Sequence, residues 1–296
     1  MGASLLDLLP SWQLALVSAN KSKGTVETYT RGVRSFQKWC QDTGTTPTLD
    51  KPTVTRFVAD MLASGAEPTT AKARQHALKM FSKWLADEGE IDENFIKDLP
   101  PPKLNTKVTE ALTDDQVRAM IRACQGKAFV DRRDEALVRL LVETGVRAGE
   151  ALALDTADVN LAAMTAVIRK GKGGKGRVVP FSSQCAAAID RYLRMRRRQG
   201  VPDDGPLWVG ARGTTFAYYG MRLTLGKRAK AAGINNFHLH LLRHTAATRW
   251  LRAGGSEAGL MAVAGWSDRA MLDRYTSASA SERSIAEARK LGLGDL

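Results

Sequence analysis

The chain is poor in cysteine, and the three it has stand far apart: Cys40, Cys124 and Cys185. No Cys-x-x-Cys or His/Cys ligand spacing occurs, which argues against a disulfide framework and against a zinc site. Unpaired cysteines fit a reducing cytoplasm. Long apolar runs are also missing. Nothing approaches the roughly 20 residues that a membrane helix needs, so no membrane partner is expected. Met1–Pro10 is partly apolar but has no basic start, and Asp7 interrupts it, so it does not read as a signal peptide. Acidic residues are short against basic ones, 31 against 44, for a net charge of +13. That excess favours an anionic partner, nucleic acid first. What remains is ordinary: 296 residues, 44% of them hydrophobic. Such a length suits about two domains with sizeable cores.

The basic excess is uneven. Residues 1–100 balance, with twelve Lys/Arg against twelve Asp/Glu, so the surplus lies beyond them. Within that part the acids crowd to the ends, and residues 21–83 are locally basic. Apolar spacing predicts four helices there. They are Leu5–Ala19; one capped by Ser22–Thr25 and running to Gly44; Thr53–Ala63; and Thr69–Glu88. Their exposed side carries Lys21, Lys23, Arg31, Arg34, Lys38, Lys72, Arg74, Lys79 and Lys83. Cations of this kind often do no more than solvate a helix face. Clustered around two helices, they read as phosphate contacts along a groove.

The stretch Leu99-Pro-Pro-Pro-Lys-Leu-Asn105 cannot continue a helix, because prolines lack N–H donors and stiffen the chain. Residues 99–108 are placed as a linker. It joins a helical domain over 1–98 to a second domain over 109–280, with a tail over 281–296. Thr113-Asp-Asp-Gln116 caps a helix through Cys124. Asp131–Glu143 reads as a buried helix that breaks at Thr144-Gly145, and another begins at Val146. Arg147 then sits in the first turn after a bend, where backbone N–H groups and a guanidinium can converge on one anion. Glu150, three residues on, could orient it, although such a pair is more often a surface ion pair.

Thr165–Arg169 and Arg177–Phe181 flank a Gly- and Lys-rich tip and predict a β-hairpin. The tip matches G-x-G-x-x-G at Gly171, Gly173 and Gly176. A strand follows instead of a helix, so the match is no dinucleotide site. The loop instead offers Lys172 and Lys175, with Arg177 at its foot, to a phosphate. Helices follow over Gln184–Arg198 and Tyr218–Ala232, the second carrying Arg222. The fold class expected is mainly α with a small β-sheet (α+β).

The last third holds His240-Leu-Leu-Arg243-His244, then Gly265-Trp266, then Tyr275. On a helix His240 and Arg243 share a face. Singly, each residue has a bland reading. Tyr275 lies four after Met271 and three after Leu272, a core spacing; Trp266 alone would be core; His244 would be a structural hydrogen bonder. Together with Arg147 and Lys172 they form a kit for phosphoryl transfer, which depends on positioning and charge. Arg147 and Arg243 can hold the non-bridging oxygens. Tyr275, with an ordinary pKa near ~10, needs that positive surrounding to become a phenolate nucleophile. His240 can accept or return its proton, Lys172 can protonate the leaving 5′ oxygen, and Trp266 can donate its indole N–H. No acidic cluster suited to Mg²⁺ accompanies them, so no metal or other cofactor is expected.

Arg147 in Thr-Gly-Val-Arg-Ala-Gly-Glu-Ala-Leu, Lys172 in Gly-Lys-Gly-Gly-Lys-Gly-Arg-Val-Val-Pro, His240-x-x-Arg243-His244, Gly265-Trp266 and Tyr275 resemble the tyrosine recombinases, or phage integrases. The order and spacing match from about Thr113 to Tyr275. The resemblance implies an N-terminal helical core-binding (SAM-like) domain and a mixed α/β catalytic domain clamping double-stranded DNA. It implies a 3′-phosphotyrosine intermediate, a Holliday junction and a homotetramer on paired sites, without ATP or metal. Directionality or host factors would be accessory partners, and the tail from Ser281 would pack on a neighbouring protomer. Trp266 stands where many members have His, and indole cannot transfer a proton as imidazole does. No arm-binding segment of the lambda type precedes the first bundle, so a simple two-domain integrase or a Xer-like resolvase is expected. A non-catalytic DNA-binding protein of the same fold predicts that Tyr275→Phe leaves its effect intact. A type IB topoisomerase-like enzyme predicts relaxation of supercoils without a preferred site. Tyr275, on a helix after Gly265 and close to the tail, is expected to stand away from the phosphate until DNA and a partner arrive.

Overall fold

The computed structural model describes residues 5–104, 110–169 and 176–276, together with positions 285 and 288. The chain divides into two units, Met1–Lys107 and Val108–Leu296. The first holds α1 (Leu9–Ser18), α2 (Lys23–Thr43), α3 (Lys51–Ala63) and α4 (Pro68–Asp87). Its helices begin and end where local chemistry dictates. Ser22 Oγ accepts from Thr25 N at 3.2 Å and Asp50 Oδ1 from Thr53 N at 2.7 Å. Gly44 closes α2 at φ +65°, a left-handed cap that suits glycine. At Gly32 an added Cβ would lie 2.4 Å from the Ala77 Cβ, so glycine lets α2 and α4 touch.

Trp12, Phe36, Phe57, Leu78, Phe81 and Leu85 fill the first core. Phe36 meets Phe57 edge-on, with centroids 5.3 Å apart, a favoured aromatic geometry. Ile96 and Leu99 join the same core, and Gln75 Nε2 donates to the Pro100 carbonyl at 2.9 Å. The packing therefore runs past residue 98, the edge that the prolines suggested, because an apolar side chain is buried immediately before them.

The second unit opens with α5 (Asp114–Ala123) behind a capping box. Gln116 N donates to Thr113 Oγ1 at 3.2 Å, and Thr113 N to Gln116 Oε1 at 2.9 Å. Helix α6 (Phe129–Thr144), buried along most of its length, packs on α8 (Ser183–Arg198) and α10 (Leu239–Arg252). The other helices are α7 (Ala148–Leu152), α9 (Tyr218–Ala231), α11 (Glu257–Ala264) and α12 (Arg269–Thr276). Strands β1 (Val159–Asn160), β2 (Thr165–Ile168) and β3 (Arg177–Pro180) form an antiparallel sheet in that order. Ile168 pairs with Arg177 and Thr165 with Pro180, the hairpin expected. β1 is additional; two residues are too few to show alternation. The hairpin tip with Lys172 and Lys175 lies outside the described residues, as does nearly all of the expected tail.

Charge is buried inside this unit. Asp134, fully enclosed on α6, accepts from Arg133 Nη2 at 2.8 Å, Thr224 Oγ1 at 2.8 Å and Arg228 Nε at 2.9 Å. These bonds fix α9 against α6. Arg196 donates to the carbonyls of Leu207 at 3.0 Å and Pro202 at 2.8 Å. A small cluster of Ala247, Leu251, Leu260, Ala264, Trp266, Leu272 and Tyr275 is separate from the main core. No helix among the described residues is long and apolar enough to cross a membrane. The architecture is mainly α with a small sheet.

Candidate active site

The site is built on helix ends, where backbone groups lack partners within the helix. Helix α6 ends at Gly145, which takes a left-handed φ of +62°. Two residues on, Arg147 is the N-cap of α7, and Glu150 closes the first turn by accepting Arg147 N at 2.9 Å. The same carboxylate accepts Arg147 Nη1 at 2.7 Å. This is no surface pair, because the Glu150 side chain is only 7% exposed. Burial pushes the Glu150 pKa up, but the bonds from Arg177 and Arg147 outweigh it and hold the pKa below the usual value.

Arg243 lies on α10 among Leu241, Leu242 and Thr245, and all four are buried. The two residues placed on one helix face differ in exposure: His240 is exposed, while Arg243 is enclosed. Its Nη1 donates to the Gly145 carbonyl at 2.6 Å and its Nη2 to the Ala264 carbonyl at 2.9 Å. The guanidinium thus serves two helix ends, those of α6 and α11. Two of its five N–H groups are engaged in this way. Its Nε is buried without a partner, and so is Trp266 Nε1. Burial first, and then the Arg147 charge, lower the Arg243 pKa to about 10, so it stays charged at neutral pH.

Trp266 follows Gly265, the left-handed cap of α11 at φ +65°. The Arg243 guanidinium carbon stands 5.3 Å from the Trp266 ring centroid, a cation–π contact. Tyr275 on α12 stacks on Trp266 at 5.0 Å and meets the His244 ring at 4.8 Å. It is 7% exposed. This counts against the expectation that Tyr275 stands apart. Stacking on an indole already packed over Arg243 draws the phenol inward. His240 loses basicity, first through partial burial and then through the Arg243, His238, His244 and Arg147 charges. The neutral imidazole, an acceptor, is favoured.

Arg147, Arg243, Trp266 and Tyr275 are thus brought together, with His240 close enough to feel both arginines. Lys172 and Lys175 are outside the described residues. Arg177 is a correction. Expected as a cation facing DNA, it is 10% exposed and donates to Glu150 and to the Val263 carbonyl. Sequence spacing undervalued Glu150 and His244; a signal for Glu150 was present in its place three residues after Arg147. Arg222 is exposed on α9 beside exposed Tyr218, Tyr219 and Leu223. In the first unit Lys21, Lys23, Arg31, Arg34 and Lys72 are exposed. Lys38 and Lys83 pair with Asp42 at 3.1 Å and Asp87 at 2.6 Å, and Lys79 donates to the Lys97 carbonyl at 2.9 Å. Partial burial, and then the charge of Arg31, lower the Arg74 pKa.

Residues 110–282 match the phage integrase family, and residues 9–89 match its N-terminal SAM-like domain. Tyrosine recombinase XerC 2 of Ralstonia nicotianae is 32% identical over 280 residues, covering 90% of this chain and 80% of that protein. Among solved structures, the Tn1549 transposon integrase with circular-intermediate DNA superposes with a TM-score of 0.77 at 17% identity, over 98% of this chain and 100% of that one. A lambda integrase tetramer bound to a Holliday junction gives 0.70 at 15% identity, over 90% and 78%. At such identities these two speak for the fold alone. The first two matches span both units and carry the conclusion: the chain belongs to the phage integrase family and is a tyrosine site-specific recombinase.

Proposed function

We propose that Tyr275 attacks a phosphodiester of duplex DNA, forms a 3′-phosphotyrosine, and passes the strand to a partner duplex through a Holliday junction. The observation that carries this reading is the stack of Tyr275 on Trp266 over Arg243. It sets a phenol beside a buried guanidinium that still has free donors. Arg147 and Arg243 hold the non-bridging oxygens and offset the charge of the five-coordinate phosphorus. The phenol proton goes to His240, whose neutral form is favoured. Lys172 returns a proton to the departing 5′ oxygen, and Trp266 donates its indole N–H to a non-bridging oxygen. The released 5′ hydroxyl of a partner strand reverses the step.

The assembly proposed is a homotetramer on paired sites, acting in the cytoplasm, with directionality factors deciding the outcome. The lambda integrase tetramer on a Holliday junction supports it by likeness of fold. The exposed cations of α2 and α4, together with Arg222 on α9, are proposed to grip the phosphates. Sequencing DNA that flanks the gene for a repeated core supplies the candidate site. A nicked suicide duplex carrying that site is then incubated with the full chain. A covalent adduct is expected, and Tyr275→Phe abolishes it. No adduct on any such site overturns the reading.

A further inference from the structure

Arg177 has no part in the reaction just described, yet it makes more contacts around the site than a surface cation needs. It opens β3, opposite Ile168, at the foot of the hairpin. Its Nη1 and Nη2 donate to Glu150 Oε1 and Oε2 at 3.3 and 2.7 Å. Its Nε donates to the Val263 carbonyl at 2.7 Å, in the last turn of α11. The guanidinium also crosses the Cα of Gly265: a Cβ there would lie 2.9 Å from the Arg177 Cζ. Glycine at 265 is therefore required twice, for its left-handed φ of +65° and for this passage.

Glu150 is the shared partner. Its two oxygens accept four N–H groups: Arg147 N and Nη1, and Arg177 Nη1 and Nη2. That fills a carboxylate's acceptor capacity and leaves it no freedom to turn. Arg147 is thereby held by a carboxylate that is itself held from behind. The Val263 carbonyl ties the same guanidinium to the turn that presents Trp266. One planar fork thus links the element bearing Arg147 with the element bearing Trp266. A lysine at 177 keeps the charge but cannot make the bidentate pair and the third bond together.

We infer that Arg177 is a positioning residue: through Glu150 and the Val263 carbonyl it sets Arg147 and Trp266 in register around the phosphate. The inference rests on the proposed recombinase reading, and it has a test independent of DNA. Nε–H resonances of arginine are recorded by NMR on the full chain without DNA. Arg177→Lys shifts the Arg147 resonance, whereas Arg194→Lys, at an exposed pair with Asp190, does not. An Arg147 resonance unmoved by Arg177→Lys overturns the clamp, whatever the DNA assay shows.

On the suicide duplex, Arg177→Lys keeps duplex affinity within about 3-fold while slowing adduct formation by about 100-fold, the scale of a 1 Å misplacement. Added guanidinium partly restores the rate of Arg177→Ala. A slowdown below about 3-fold, or one matched by equal losses of affinity and melting temperature without rescue, overturns the positioning role. Wild-type chain that forms no adduct refutes the recombinase reading, and the resonance still decides the clamp.

Discussion

The two units use charge differently. In the first, an aromatic core carries the packing, and acids and bases meet at the rim: Lys38 with Asp42 and Lys83 with Asp87, each pair more than half exposed. The second has exposed pairs as well, such as Arg194 with Asp190, but it also encloses charge. Asp134 is fully enclosed beneath Arg133, Thr224 and Arg228, and Glu150 lies between Arg147 and Arg177. A rim charge acts through its field and is screened by salt. An enclosed charge acts through geometry, since its bonds must be kept or the ion stands unpaired. The difference fits the proposed division of labour, with the first unit gripping DNA through screened charge and the second placing a phosphate through fixed bonds.

The comparison can be broken by substitution. Asp134→Ala takes from Arg133 its carboxylate partner and from Arg228 one of two, leaving Asp131, and should lower stability by about 3–5 kcal/mol in urea denaturation of the full chain; a loss under about 1 kcal/mol would remove the distinction. Arg31→Gln with Arg74→Gln should reduce the salt slope of duplex binding by roughly 2 while leaving the urea midpoint in place, roughly one per phosphate contact. An unchanged slope would take these residues out of the grip. Arg147→Gln should raise the His240 pKa, followed by imidazole NMR. Removing a positive neighbour favours the charged ring, so the value climbs back toward its ordinary 6.5. A fall would place His240 in a different field. Asp42→Asn should be the mildest, under about 1 kcal/mol, because an exposed pair gains little.

Most elements could be read from the sequence because their signals are local. Ser22, Thr113, Gly44 and Gly145 mark helix ends by chemistry within a few residues, and the structure places caps there. Arg147, Arg243, Trp266 and Tyr275, picked out from separate motifs, do come together in the second unit, while Lys172 lies outside the described residues. What could not be read are bonds that span the chain. Arg177 sits in a basic hairpin, and nothing near it says that Glu150, 27 residues before, claims it. Asp134 reads as one more acid on a helix; its partners Thr224 and Arg228 lie 90 and 94 residues on. Arg196 looks like part of a basic helix end until Leu207 and Pro202 fold over it.

The small cluster around Tyr275 has a consequence for how the second unit opens. Its seven buried side chains stand apart from the main core and lean on α10. Local opening follows the number of buried contacts that must be given up. Amide hydrogens of α11 and α12 should therefore exchange with solvent well before those of α6, as a cooperative unit of their own. Tyr275, the proposed nucleophile, lies on the segment expected to exchange first, and Arg147 and Arg243 lie outside it.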